Sequence, residues 1–390
     1  MKAVSLPVAY IPLVDAAPLI AAQEIGFAEA EGLSLDLIAA PSWSSVRDML
    51  AFGRVDAAHL LSPVPVAMAL GLGGVTTAIS AVSTISVNGD VIGVSRGIEA
   101  RLRASGFSFD FADAAAAGRA LAAACSDGLT VGVPFPFSMH AELLHYWIEA
   151  TPLSQLRIDI RTVPPPLMAQ ALAAGDIDAF CVGEPWGSVA VETGVGALLL
   201  PGSAIWSFAP EKVLAVRTGW AETEPHLLGR LMRAVWRAGR WLADPDSRTA
   251  AAELLSRRTW LDVPSEVIDR GLSGRLTILP SGETREVPGF LEFHRGAATF
   301  PWRSHATWIA RRIAARTGLD PNDAASAAAR VFRSDLYREQ LASLGADMPG
   351  ASQKIEGSLS HPTAVASTSG RVILPPDRFF DGRIFDPSRE

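Results

Sequence analysis

The feature that most constrains this chain is a rhythm. Short apolar runs read as strands at Ala3–Pro12, Leu33–Ala39, Val55–Leu60 and Thr76–Val82, and between them lie segments of helical spacing at Ala16–Gly26, Trp43–Phe52 and Val64–Gly71. Strands joined by single helices at this spacing build βαβ units, so a mainly parallel sheet covered on both faces is expected. The rhythm returns with strands at Thr130–Val133, Arg157–Thr162 and Ile177–Val182 and helices at Met139–Glu149 and Leu167–Ala174. Gly53-Arg54-Val55-Asp56-Ala57 is echoed by Gly175-Asp176-Ile177-Asp178-Ala179. In both places a glycine ends a helix in a left-handed cap before a buried strand. Two similar sheet lobes with a cleft between them accommodate this echo and the 390-residue length. From Thr223 onward helices dominate, at Pro225–Ala243, Ser247–Ser256, Ser265–Gly271, Ala306–Arg316 and Ala324–Leu344, while Gly289–Trp302 reads as irregular. The aromatics of Arg378-Phe379-Phe380-Asp381-Gly382 make the tail a docked strap.

Charge and composition remove whole classes of function. With 34 basic and 41 acidic residues the net charge is −7, which offers no basic face to displace counterions from phosphate, so no direct nucleic-acid binding is expected. A hydrophobic content of 49% rules out dominant disorder. Cys125 and Cys181 are too few for a disulfide framework or a four-thiolate metal site and read as core residues. The uncharged stretch from Ser62 to Asn88 is long enough to raise a membrane span, but its prolines and glycines divide it into a short helix, a glycine turn and a buried strand. At the start, Pro7, Pro12 and Asp15 fit a first strand better than a secretory leader. The expectation is a cytoplasmic chain that makes no membrane contact.

No Walker loop, HExxH, GxSxG or CxxC motif occurs, and the glycines at 71, 73 and 74 do not form a dinucleotide turn. Helix entrances remain, where unpaired N–H groups attract anions. Pro41-Ser42-Trp43-Ser44-Ser45 opens one such helix; Ser42 or Ser44 can cap it, with Trp43 as a flat wall, although an ordinary cap with a packed Trp explains the same residues. Pro134 to Met139 opens another, with Ser138 as cap and His140 in the first turn, able to donate an N–H to an oxyanion or simply to pack. Cys181-Val182-Gly183-Glu184-Pro185-Trp186 ends a strand: Gly183 permits close backbone approach, and Glu184, which would repel an anion, is expected to pair with a cation or cap amides. Lysine is scarce here, with only Lys2, Lys212 and Lys354, and Lys212 introduces the apolar strand Val213–Val216. A buried ammonium needs an anionic partner, and Glu211, Glu184 or a ligand would serve.

Taken together, these segments resemble the nitrate- and bicarbonate-binding family of periplasmic-binding-protein folds. The resemblance is carried by Ile11 to Leu19, Pro41-Ser42-Trp43 with Arg47-Asp48, Asp56-Ala57-Ala58-His59, Phe135 to His140, Tyr146-Trp147, Cys181 to Trp186, Pro210-Glu211-Lys212, Pro301 to His305 and Phe379 to Gly382. It implies a type-II periplasmic-binding-protein fold, α/β, with two lobes around a ligand cleft and additional C-terminal helices. The implied division is 1–86 and 206–345 for lobe I, the latter with a helical extension, 87–205 for lobe II, and 346–390 for the strap. It further implies a small planar oxyanion, nitrate or nitrite, touched by Trp43, Ser44, His140, Gly183, Glu184 and Lys212. A family glutamine contact is missing near Ser86-Val87-Asn88, leaving Ser86 or Asn88 to replace it. No cofactor and no metal are implied, since relatives that hold bicarbonate with a metal place a carboxylate where Lys212 stands.

Because the chain starts at its first strand, it looks like the cytoplasmic branch of that family, nitrate and nitrite sensors of the NasS type. That branch implies an RNA-binding antiterminator of the ANTAR class, sequestered by the empty sensor and released on anion binding by a population shift. The rival within the family is the ligand-binding subunit of an importer. An enzyme like the thiamine-pyrimidine synthases lacks its cysteine-rich segment here, and no acid–base pair is poised for catalysis, so binding without turnover is expected.

Overall fold

A computed structural model describes residues 3–389 and places them in two α/β lobes. The first sheet contains β1 (Val4–Tyr10), β2 (Leu33–Ala39), β3 (Ala57–Leu61) and β4 (Ile79–Asn88). The second contains β5 (Asp90–Ser95), β6 (Leu129–Val133), β7 (Ile158–Thr162), β8 (Ala179–Gly183) and β9 (Gly196–Pro201), after which β10 (Pro210–Arg217) returns to the first. Omitting its short outer edge, the first sheet reads β2-β1-β3-β10-β4 and the second β7-β6-β8-β5-β9. The two orders superimpose strand for strand. In each, the fourth strand runs antiparallel and has crossed over from the other lobe. The sequence echo marks this equivalence: Gly53 and Gly175 both adopt the left-handed conformation (φ 73° and 75°) ahead of β3 and β8.

The crossing from β4 to β5 takes place at Gly89 (φ 99°), where a Cβ would also meet Leu291 Cδ1 at 2.8 Å, so both torsion and space favour glycine. Asn88 beside it also has a positive φ, of 58°. Its side chain donates to the carbonyls of Ser207 and Gly289 and accepts from Ala209 N–H. One residue thus bolts the outward crossing to the returning one.

Several expectations are revised. Strands β5 and β9 were not anticipated. The helix expected over Ala324–Leu344 is two, Pro321–Ala328 and Ser334–Leu341, because Phe332 leaves the helical path to bridge Ala81. Its neighbours fix the break, with Ala81 N–H donating to Val331 O and Arg333 N–H to Ala81 O. Part of the stretch assigned to lobe I belongs physically to lobe II: the hairpin of β11 (Arg275–Thr277) and β12 (Thr284–Glu286) covers its β9 edge. There Leu198 N–H donates to Ile278 O, and Arg103 pairs with Glu283 at 2.7 Å.

The C-terminal part ties the lobes together. Helix Arg303–Thr317 packs on helix Pro63–Ala69 of lobe I, while its Arg312 and Arg316 pair with Glu149 and Glu142 on helix Met139–Glu149 of lobe II. The strap docks as expected: Phe379 stacks on Trp206 (centroids 4.8 Å) and Tyr146 O–H donates to Asp381 at 2.9 Å. The Ser62–Asn88 stretch resolves into a short helix, a glycine-rich turn and β4, and among the described residues no helix is long and apolar enough to cross a membrane.

Candidate functional site: a buried lysine between the lobes

The site is built where both lobes present the C-terminal ends of their parallel strands. From lobe I, Asp15 stands in the single turn that follows β1, Trp43 opens the helix after β2, and His59 lies on β3. Ser42 caps the Trp43 helix, its Oγ accepting from Ser45 N–H, and this fixes where the indole enters. Glu211 and Lys212 arrive on β10, with Lys212 opposite Leu61 on one side and Ser86 on the other. Register shifts against β4 flank Lys212 on both sides, and such irregularities re-aim side chains. From lobe II come Asp90 at the head of β5, His140 in the helix capped by Ser138, and Gly183 at the end of β8.

Lys212 is fully buried, and so are the groups around it. Its Nζ lies 2.7 Å from Asp15 Oδ2 and 2.6 Å from Glu211 Oε1, and 5.5 Å from the centre of the Trp43 ring, in cation–π range. Asp15 Oδ1 lies 3.0 Å from His59 Nε2, and Glu211 Oε1 lies 3.1 Å from His140 Nδ1. Of the partners the sequence offered for Lys212, Glu211 is present and Glu184 is not. Asp15 was not anticipated. The lobes touch here, with Val14 N–H donating to Glu184 O at 2.8 Å and the Trp186 indole to Pro12 O at 3.0 Å.

These neighbours set the charge states. Burial raises the Asp15 carboxyl, but Lys212 and His59 outweigh it and hold Asp15 well below the usual carboxylate range. Glu211 shares the same lysine yet is pushed up to about 8, because burial, helped by Asp90 and Asp15, outweighs Lys212. Burial also raises Asp90, and lowers both His59 and His140. Lys212 itself stays charged, the two carboxyl groups outweighing its desolvation.

Several polar atoms in this buried region have no hydrogen-bond partner within the protein: Trp43 Nε1, Ser86 Oγ, both ring nitrogens of His140 and of His59, Asp15 Oδ1, Glu211 Oε2 and Asp90 Oδ1. Buried polar atoms of this kind are costly unless a ligand meets them. Beside a fixed ammonium, the N–H and O–H groups among them suit a small oxyanion. Among the described residues no group of three or more His, Cys, Asp or Glu side chains is arranged to hold a metal ion. A surface cavity of about 500 Å³ lined by Phe208, Pro288, Ile373 and Pro375 contains no member of this cluster.

The expected contact residues therefore divide. Trp43, Ser86, His140, Gly183 and Lys212 converge; a Cβ on Gly183 would stand 3.7 Å from His140 Nε2 and 3.6 Å from Asp15 Oδ2. Asn88 does not join them, since its amide is consumed at the crossing described above. Ser44 does not turn inward either: its hydroxyl bonds Ser42 Oγ at 2.9 Å. Glu184 turns away and caps the next helix, accepting from Ser188 N–H, with burial pushing its carboxyl up to about 7. Asp15, His59, Asp90 and Glu211 are the titratable members whose place in the cluster sequence reasoning missed, apart from Glu211's pairing with Lys212. Cys181 is a buried core thiol donating to Asp90 Oδ2 at 3.4 Å.

Comparison with known proteins establishes the family and the fold. Residues 1–256 match the NMT1-like family. The nitrate/nitrite binding protein NrtA of Synechocystis sp. is 30% identical over 391 residues, covering 97% of this chain and 81% of that protein. The nitrate import ATP-binding protein NrtC of the same organism is 31% identical over 357 residues; the alignment takes in 88% of this chain but spans only about half, 51%, of NrtC. The crystal structure of the periplasmic nitrate-binding protein NrtA from Synechocystis PCC 6803 superimposes with a TM-score of 0.82 at 27% identity, over 99% of this chain and 96% of that one. The chain belongs to the NMT1-like family and carries the two-lobed fold of periplasmic binding proteins such as NrtA.

Proposed function

We propose that the cleft binds nitrate or nitrite without turnover, and that the chain acts in the cytoplasm as a sensor whose occupancy releases an RNA-binding antiterminator of the ANTAR class. The observation that carries the ligand reading is the buried ammonium of Lys212 beside the partnerless donors Trp43 Nε1 and Ser86 Oγ. Similarity to proteins named for nitrate and nitrite binding supports it. The sensor role rests on the family resemblance of the sequence.

A second reading keeps the same site and changes the partner. In it the chain is the ligand-binding component of an importer, and the similarity to NrtA and NrtC favours it. Isothermal titration with nitrate, nitrite and bicarbonate, the last with and without calcium, tests the ligand. Saturable nitrate or nitrite binding is expected; calcium-dependent bicarbonate binding with nitrate silent would overturn it. The two roles separate by partner. An antiterminator that co-purifies without nitrate and dissociates with it fits the sensor, whereas nitrate-independent recovery with membrane transport subunits fits the importer.

A further inference from the structure

The lysine cluster poses a problem of proton placement, and its solution deepens the oxyanion reading on which it rests. His140 Nε2 faces the lobe junction near Gly183 and has no protein partner. To donate from Nε2, a neutral imidazole must leave Nδ1 without a hydrogen. Nδ1 lies 3.1 Å from Glu211 Oε1, an oxygen already 2.6 Å from Lys212 Nζ. Neither ring nitrogen completes a hydrogen bond within the protein, and with Glu211 ionised the Nδ1 lone pair and a carboxylate charge would lie 3.1 Å apart in a buried site. The conflict is relieved when the pair holds one proton, either on the carboxyl, which then donates to Nδ1, or on the ring, which becomes imidazolium and donates from both nitrogens.

Charge balance leads to the same place. The groups facing this pair are Lys212 beside Glu211 on β10, Asp15 after β1, His59 on β3, Asp90 on β5 and Cys181 on β8. Lys212 is the one fixed cation among them, and Asp15 already neutralises it at 2.7 Å. An ionised Glu211 together with an incoming anion would leave two uncompensated negative charges buried, which a low-dielectric interior strongly disfavours.

We propose that the cleft takes its monoanion together with one proton, held between Glu211 and His140. Glu211 is then a positioning and specificity residue: its proton sets the tautomer that lets His140 donate. Burial lowers the imidazole and raises the carboxyl to about 8, so the proton resides on Glu211. The sign of the effect follows. Below about pH 7 the free cleft already carries the proton and affinity is flat. Above about pH 8 the proton must be taken up, so Kd rises by about tenfold per pH unit until the pKa of the bound state is passed.

The test is calorimetry of the full chain with sodium nitrate at about pH 6 and about pH 9, each in two buffers of different ionisation enthalpy. The expected result is little proton uptake at the lower pH, uptake approaching one proton per nitrate at the higher, and a Kd about tenfold or more weaker there. Glu211→Gln is expected to abolish both the uptake and the slope. Saturable binding with equal Kd and no proton uptake at either pH overturns the proposal while leaving the nitrate reading intact. A slope that persists in E211Q also overturns it. Absence of saturable nitrate and nitrite binding at both pH values removes the oxyanion reading and this proposal with it. If E211Q does not fold, the two-buffer measurement on the parent chain still decides.

Discussion

Two lysines in this molecule, one buried and one half-buried, keep nearly the same company and do different work. Lys212, in the cleft, lies between Asp15 and Glu211 with His59 and His140 alongside. Lys354, in the C-terminal part, pairs with Glu356 and Asp377, with His305 3.4 Å from Glu356. The difference lies in how completely the carboxylates are bonded. Glu356 Oε1 accepts from Ser304 and Oε2 from Lys354; Asp377 Oδ1 accepts from Leu359 N–H and Oδ2 from Lys354. With His305 and Lys354 outweighing burial, Glu356 falls to about 2 and stays ionised. Glu211 keeps one oxygen without a partner and rises to about 8. The Lys354 carboxylates, bonded on every oxygen, make a staple, while the Lys212 cluster keeps a carboxyl oxygen of Glu211 without a partner.

This contrast can be broken experimentally. The largest expected effect is on binding: Lys212→Ala should weaken nitrate affinity by about 2–5 kcal/mol, roughly 30-fold to several-thousand-fold in Kd. The melting temperature should fall as well, because Asp15 loses its cation, although Glu211, already raised by burial, can stay protonated. Titration calorimetry with circular dichroism checks both, and unchanged affinity would remove Lys212 from the site. Lys354→Ala should spare binding. It strands two carboxylates and should cost about 3–5 kcal/mol of stability, read as a lower melting temperature, with nitrate affinity at saturating fold nearly unchanged. Equal losses of binding in both variants would erase the distinction.

Smaller effects sharpen it. Trp43→Phe keeps most of the packing and removes Nε1, so affinity should fall by about tenfold, the worth of one hydrogen bond to a charged ligand. No change would return Trp43 to a packing role. The smallest effect concerns Glu184, raised to about 7 by burial. A carboxyl whose folded pKa lies above its unfolded value stabilises most below the unfolded pKa and loses that contribution as pH rises through the folded one. The melting temperature of the parent should therefore decline between about pH 5 and about pH 8, and Glu184→Gln should flatten part of that decline, leaving the part due to Glu211. Identical pH profiles would contradict the burial argument.

What the sequence could and could not reveal follows from the range of each signal. Ser138, and Ser42 as one of two candidates with Ser44, were legible as helix caps because a cap is a local bond. The glycine-ended helices before β3 and β8 were legible for the same reason, and their repetition pointed to two equivalent lobes. Scarcity made Lys212 visible, and burial demanded a partner, but the choice of Asp15 over Glu184 depends on how the turn after β1 meets β10. Asn88 looked like a ligand contact since it is polar amid apolar neighbours; the cause of its burial is the backbone of the return crossing. Strands β5 and β9 are buried almost throughout, so they show no period that would separate them from other apolar runs.

The hairpin of β11 and β12 carries a consequence for descent. It is encoded after the chain has returned to lobe I, yet it covers the edge of lobe II and meets Arg103 and Phe109 there. Recombination between related genes at the lobe boundaries would hand one parent's hairpin to the other parent's edge strand. Substitutions around Glu283 and Arg285 should therefore track those around Arg103 and Phe109 as such proteins diverge.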